Sequence, residues 1–322
     1  MLPRMDRTER YRVVATPTAV DLAGALATVR GHLRPTPVVE DSYGVLKLES
    51  LQPTGSFKVR GALAALESLA GPARAAGVVT ASAGNHGLGI AFAALRLKMA
   101  AIVVVPTTAS PSKVAALRAF PIDLVQQGDD YAAAERHALD IASTGPTYVS
   151  PYNDTHVIAG GGSLGAEVRE QVDGALTLVV PVGGGGLVSG VGLWAAGQPD
   201  VRVVGVEAEA SQAVSTAVSA GRVVEVPIGP TLADGLAGNI EPGSVTPALV
   251  AEHTHSLVTV SEAEIRSAMR YLVQRHGLVA EGSGAVGVAA LMADKVEVTG
   301  RPVAIITGRN ITLTELAGVL TG

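Results

Sequence analysis

The chain has 322 residues, a formal net charge of −5, few aromatic residues and no cysteine. Lack of cysteine excludes disulfides, thiolate metal sites and cysteine nucleophiles, and the acidic balance gives no basis for a nucleic-acid or anionic-membrane partner. No apolar run spans a bilayer without Gly, Pro or charge interrupting it, and the charged opening MLPRMDRTERYR lacks the core of a signal peptide, so a soluble cytoplasmic protein is expected.

The wealth of Ala, Val, Gly and Leu suits helix-covered parallel sheets. Val20 to Leu33 has helical periodicity and stops before Pro35. A short strand, Val45 to Leu48, leads into KLESLQPTGSFKVRGA (Lys47 to Ala62). There a tight Pro53-Thr54-Gly55-Ser56 turn precedes Lys58 and an alanine-rich helical run, Val59 to Leu69. Short β-branched runs then alternate with helical ones. The strands are expected at Val78 to Thr80, Ile102 to Val105, Asp123 to Val125 and Tyr148-Val149, with helices at His86 to Leu97, Ser112 to Ala119 and Asp129 to Ser143. Further strands are expected at Leu176 to Val182, Val201 to Val206, Leu257 to Val260 and Val303 to Ile306. This alternation predicts an α/β fold of parallel sheets wound on both faces, with ligands at the carboxyl ends of the strands. Two lobes are expected: a small mobile one over 77–151, and a larger cofactor-binding one from 1–76 and 152–322. The end at Gly322 leaves no room for an appended regulatory domain.

Several stretches carry residues suited to chemistry. A strand–turn–helix junction holds Lys58 at a defined place, which a nucleophilic amine needs; a solvated surface charge is the ordinary alternative. In PVGGGGLVSG (Pro181 to Gly190), four glycines between an apolar strand and a helix let backbone N–H groups converge on a phosphate. A plain turn would waste their entropy. The spacing falls one residue short of a dinucleotide fingerprint, yet Glu207 sits about where a ribose-binding acid would, so a nicotinamide-dependent oxidoreductase competes. That reading leaves Lys58 unexplained. In TASAGNHGLGIA (Thr80 to Ala91), Ser82, Asn85 and free N–H groups at a helix start can hold a carboxylate; a simple N-cap is the alternative. Thr307 in IITGRN can present a hydroxyl to a ligand. Glu281 in EGSGAVGVAAL reads as a helix cap, and Asp234 in TLADGLAGNI as an Asx-turn.

Together these motifs resemble the fold-type-II pyridoxal-phosphate enzymes, the tryptophan-synthase-β-like architecture, and among them the serine/threonine dehydratases (ammonia-lyases) and serine racemases. The similarity runs in family order through KLESLQPTGSFKVRGA, SAGNHG, VVVPTTASPSKVAALR, PYNDTHVIAGGGSLGAEV, PVGGGGL, TLADGLAGNI, EGSGA and TGRN. The resemblance implies that Lys58 carries pyridoxal 5'-phosphate as a Schiff base, with Phe57 flanking the ring and Asn85 bonding its hydroxyl. Gly183, Gly184, Gly185 and Gly186 with Leu187 would bind the phosphate, and Thr307 would meet the pyridine nitrogen. Ser82, Ala83, Gly84, Asn85 and His86 would surround the substrate carboxylate, with Tyr152 on the substrate side.

The implied reaction is β-elimination from a 3-hydroxy amino acid such as L-threonine or L-serine, giving a 2-oxo acid and ammonia, with Lys58 taking the α-proton. The preferred substrate stays open, as does a non-catalytic cofactor-storing protein of the same fold. Three positions depart from the family. Ala83 stands where racemases carry a serine that works on the opposite face, which favours elimination over racemisation. Glu207 is kept, but Ala213 replaces the second acid of a divalent-cation site, so no metal is expected, Glu209 and backbone oxygens being the remaining donors. Arg309 interrupts the usual Ser-Gly-Gly-Asn turn. The resemblance also implies a homodimer through the larger lobe.

Overall fold

A computed structural model describes residues 12–322. The charged opening read above lies, up to residue 11, outside the described residues.

In chain order the helices are α1 (Ala19–His32), α2 (Lys58–Ser68), α3 (Gly71–Ala76), α4 (Asn85–Leu97), α5 (Pro111–Arg118), α6 (Tyr131–Ala142), α7 (Thr155–Gln171), α8 (Gly186–Ala195), α9 (Ala213–Ala220), α10 (Thr246–His253), α11 (Glu262–His276), α12 (Gly282–Met292) and α13 (Leu313–Thr321). The strands are β1 (Val38–Asp41), β2 (Gly44–Lys47), β3 (Val78–Ala81), β4 (Ala101–Val105), β5 (Asp123–Gln126), β6 (Thr147–Tyr148), β7 (Leu176–Pro181), β8 (Val201–Ala208), β9 (Ser256–Val260) and β10 (Arg301–Ile305).

They form a six-stranded sheet, β1-β2-β10-β7-β8-β9, and a four-stranded sheet, β5-β4-β3-β6. All pairings are parallel except β1 with β2. That antiparallel hairpin, unforeseen in the sequence, follows from chain length: the link between Asp41 and Gly44 is far too short for a crossover.

Every residue of β7 is buried, because helices cover both faces of the larger sheet. On one face Val204, Val206, Met269, Leu272 and Val286 share a cluster. Leu164, Leu178, Val180, Val188 and Val191 share another. A third cluster joins Val59, Leu63 and Leu66 of α2 to Ile90 of α4 and Val103 of β4. Thus α2, which precedes the 77–151 segment, packs under the smaller sheet.

Glycines bring α2 very close to its neighbours. A Cβ on Gly160 of α7 would sit 2.6 Å from the Gly61 Cα, and one on Gly89 of α4 would sit 3.1 Å from the Lys58 carbonyl carbon. Beneath α2 lies a buried charge network. Arg60 donates to Glu49 through Nε and Nη2, at 2.7 Å each, and through Nη2 to Glu167 Oε2 at 2.8 Å. Lys47 Nζ pairs with Glu167 and donates to Thr36 O at 2.7 Å. Desolvation offsets much of the attraction in such a network, but its geometry fixes how α2 sits on β2 and α7.

Candidate active site

Lys58 is the first residue of α2, and the loop before it is held from below. Gly55 takes φ +74°, where a side chain would overlap Asn310 Oδ1. Phe57 N donates to Thr307 O at 3.0 Å, Arg309 N donates to Gly55 O at 2.9 Å, and Ser56 bridges Gly308. Arg309 also donates from Nη1 to Ser50 O at 2.6 Å. Its side chain, which the sequence left without a role, therefore braces the lysine loop.

Lys58 Nζ donates to Pro151 O at 2.7 Å and lies 5.1 Å from the Phe57 ring centroid. Burial pulls its pKa down to about 8, against a smaller opposing effect of Glu281. A neutral amine is accordingly accessible near neutral pH.

The glycine run ends β7 and opens α8 with Gly185 as N-cap, at φ +83° and with no side-chain cap. A Cβ would sit 3.0 Å from Leu236 Cα at Gly183, 2.9 Å from Thr246 Cβ at Gly185 and 2.8 Å from Tyr152 Cα at Gly186. At Gly184 it would overlap the Tyr152 ring. Only glycine fits, and the first-turn N–H groups of α8 are left to an anion. Leu187 is buried behind them. Tyr152 Oη accepts from Glu241 N at 2.7 Å, which pins its ring over the glycines.

Ser82, Ala83 and Gly84 form the partly buried turn from β3 into α4. Ser82 Oγ accepts from Gly84 N at 3.2 Å. His86 is 3% exposed, and burial, then Lys58, pulls its pKa down to about 3. Its Nε2 faces Val149 O at 3.2 Å, which requires a proton on that nitrogen, while Nδ1 has no partner. His86 therefore brings no positive charge to the carboxylate that the sequence reading places beside it. Thr307 is 3% exposed and donates from Oγ1 to Ser283 O at 3.3 Å.

Two acids behave differently from their sequence readings. The Glu281 side chain does not cap α12; it accepts from Asn85 Nδ2 at 2.6 Å and from Asn310 N at 3.0 Å. Asp234 makes no Asx-turn but pairs with Lys113 Nζ of α5 at 2.9 Å. Glu281, Asn310 and Lys113 were missed because their partners lie far away in sequence. The Gly-Ser-Gly after Glu281, a helix start with no room for bulk, was the available signal.

Glu207 is 1% exposed and accepts from Val214 N at 2.9 Å and from Ser215 N at 3.3 Å. A carboxylate committed to the start of α9 is not free for a ribose, which removes the support for a nicotinamide reading. Among the described residues no group of three His, Asp or Glu could hold a metal ion, and no helix is long and apolar enough to cross a membrane.

A buried lysine of lowered pKa on Pro151 O, one residue before the Tyr152 ring that covers the glycine run, is the arrangement that an enzyme with a phosphorylated carbonyl cofactor needs. The chain belongs to the pyridoxal-phosphate-dependent enzyme family, whose model matches residues 29–308. It is 43% identical over 269 residues to an L-threonine ammonia-lyase of Thermotoga maritima, covering 83% of this chain and 67% of that one. Among solved structures, the processed threonine deaminase isoform 2 of Solanum lycopersicum superposes with a TM-score of 0.87 at 31% identity, covering 97% of each chain. Maize serine racemase gives 0.88 at 27% identity, covering 94% of this chain and 97% of that one. The residues present fit the cofactor: the glycine cup excludes every side chain, and the uncapped N–H groups of α8 match a phosphate.

Proposed function

We propose that the protein is a pyridoxal-phosphate-dependent ammonia-lyase that converts a 3-hydroxy amino acid, such as L-threonine or L-serine, to a 2-oxo acid and ammonia. The observation that carries this reading is Lys58 itself: a buried amine with its pKa drawn down to about 8, bonded to Pro151 O one residue before the Tyr152 ring that covers the glycine run. The cofactor, when bound, supplies an electron-withdrawing ring that makes the α-proton of the substrate acidic.

The protein residues do the rest. Gly183 to Gly186 and Leu187 hold the phosphate through the start of α8. Phe57 would flank the ring, and Asn85 would meet its hydroxyl. Thr307 would present a neutral hydroxyl to the pyridine nitrogen, and such a hydroxyl, unlike a carboxylate, would not hold a proton there. Ser82, Asn85 and the N–H groups of the α4 start hold the substrate carboxylate. Lys58 Nζ, in its neutral form, takes the α-proton. Tyr152 closes the side of the pocket above Gly184.

Ala83 supports elimination over racemisation, because a methyl group cannot deliver a proton from the opposite face. By the same reading, 77–151 moves as a lobe over the substrate, and the enzyme works in the cytoplasm as a homodimer through the larger lobe. Sedimentation of the loaded enzyme checks the last point.

The deciding experiment is ammonia release by the cofactor-loaded protein from L-threonine, L-serine, 3-hydroxyaspartate and 3-phenylserine, with chiral analysis of the remaining substrate. Release from one or more without D-isomer formation is expected. D-serine formed faster than ammonia would point instead to a racemase.

A further inference from the structure

Glu281 is 6% exposed and takes no part in the reaction as described above. It stands where the two sheets meet. Its Oε1 accepts from Asn85 Nδ2, in the first turn of α4 on the smaller sheet, at 2.6 Å. Its Oε2 accepts from Asn310 N, beyond β10 of the larger sheet, at 3.0 Å. Asn310 closes the ring by donating from Nδ2 to Asn85 Oδ1 at 2.6 Å and to Thr54 O at 2.9 Å.

The Thr54 carbonyl fixes which end of the Asn310 amide is nitrogen. Asn310 and the carboxylate then fix the Asn85 amide, because a flipped amide would set donor against donor and oxygen against oxygen. One Asn85 Nδ2 hydrogen remains uncommitted. Gly308 is part of the same arrangement, since a side chain there would overlap Glu281 Oε1.

We propose that Glu281 is a positioning residue: through Asn85 and Asn310 it aims the Asn85 amide at the cofactor ring and clasps α4 to the larger sheet. The aim rests on the reading of Asn85 as the partner of the ring hydroxyl; the clasp does not.

The charged groups around Glu281 are Lys58 of α2, Lys113 of α5 and Asp234. Burial, then Asp234, pushes its carboxyl up to about 7, against Asn85, Asn310 and Lys113. Its ionised form accepts both hydrogen bonds. Protonation turns one oxygen into a donor and breaks a bond, so the clasp is complete above about pH 7 and loosens below it.

The test compares wild type, Glu281→Gln, Glu281→Asp and Asn310→Ala. Cofactor affinity is read from visible absorbance, and kcat and KM are read separately, on both sides of the titration. Wild type is expected to lose affinity and gain KM as pH falls through about 7. Glu281→Gln sets an amide N–H against Asn85 Nδ2 or Asn310 N, so it should bind cofactor about tenfold more weakly and lose the inflection near 7, keeping only the limb that Lys58 sets near 8. Glu281→Asp should keep the pH dependence with weaker binding. Asn310→Ala alters an exposed side chain and should weaken binding while keeping the acid limb, which serves if the Gln variant does not fold. Wild-type affinity and pH profile in either Glu281→Gln or Asn310→Ala would overturn the aim.

The clasp is measured without cofactor, by amide hydrogen exchange over 85–90. Faster exchange in Glu281→Gln is expected, and unchanged exchange sinks the clasp whatever the activity. A wild-type protein that takes up no cofactor would instead overturn the reading of the site, and the aim with it.

Discussion

Arg60 and Glu49 meet as a two-pronged pair with neither side chain exposed: Nε to Oε2 and Nη2 to Oε1, both at 2.7 Å. Arg60 lies two residues past Lys58, so this pair anchors the helix turn that presents the amine. Burial opposes the charge on Glu49, but the guanidinium, its hydrogen bonds and Thr36 outweigh it and hold the carboxyl below the usual carboxylate range.

Removing one partner leaves the other charged and buried. Arg60→Met should therefore destabilise the fold by about 3–5 kcal/mol, measured as a lower urea midpoint. The pH dependence has a definite sign. Because the folded pKa of Glu49 is depressed, its contribution is full above the ordinary carboxylate value of 4.5 and is lost as pH falls through the folded value. Glu49→Gln should flatten that acid limb of the stability curve.

Lys58 sets a second pH effect. Only its neutral form attacks an aldehyde, so the rate at which cofactor-free protein takes up pyridoxal phosphate should rise with pH and level off above about 8. Stopped-flow absorbance follows this directly. Lys58→Ala should show no lysine-linked absorbance and should lose at least about 10²-fold of the ammonia-release rate. An active, yellow variant would sink the assignment.

The glycine cup can be tested with one methyl group. Gly184→Ala places a Cβ inside the Tyr152 ring, and overpacking of this kind costs about 1–3 kcal/mol, which should appear as weaker cofactor binding. Gly24→Ala on α1 meets open space and should leave the binding isotherm unchanged.

Ala83→Ser supplies a hydroxyl where the protein has a methyl. If lack of a group on the second face is what makes this a lyase, the variant should begin to interconvert L- and D-serine. Chiral chromatography of residual substrate reads the outcome, and a variant that stays wholly free of D-serine would argue against Ala83 as the determinant.

The strands and glycine cup were legible in the sequence because their causes are local. β7 shows as a largely apolar run interrupted by Thr177 alone, and Gly183 to Gly186 as a run with no other economical use. Lys58 was legible as a residue after a turn, and the chemistry proposed for it came through the company of the other motifs. The charge network was not legible: Lys47 and Arg60 sit inside the quoted lysine motif, but their partner Glu167 lies more than a hundred residues on. Glu281 was misread as a cap for the same reason, since Asn85 lies 196 positions away. Arg309 looked like an intrusion near the cofactor, and only the position of the Ser50 carbonyl reveals it as a brace. The β1 hairpin escaped because Val38–Asp41 is short and carries two acids.

The contact between Gly61 and Gly160 leaves no slack behind Lys58. With a methyl at either position, α2 and α7 would have to separate, and α2 would carry the Lys58 backbone out of register with Gly183 to Gly186 on the opposite wall. The distance from amine to phosphate seat is thus set by two hydrogen atoms where α2 meets α7. Damage there would register first as a misplaced cofactor, in a protein that still folds.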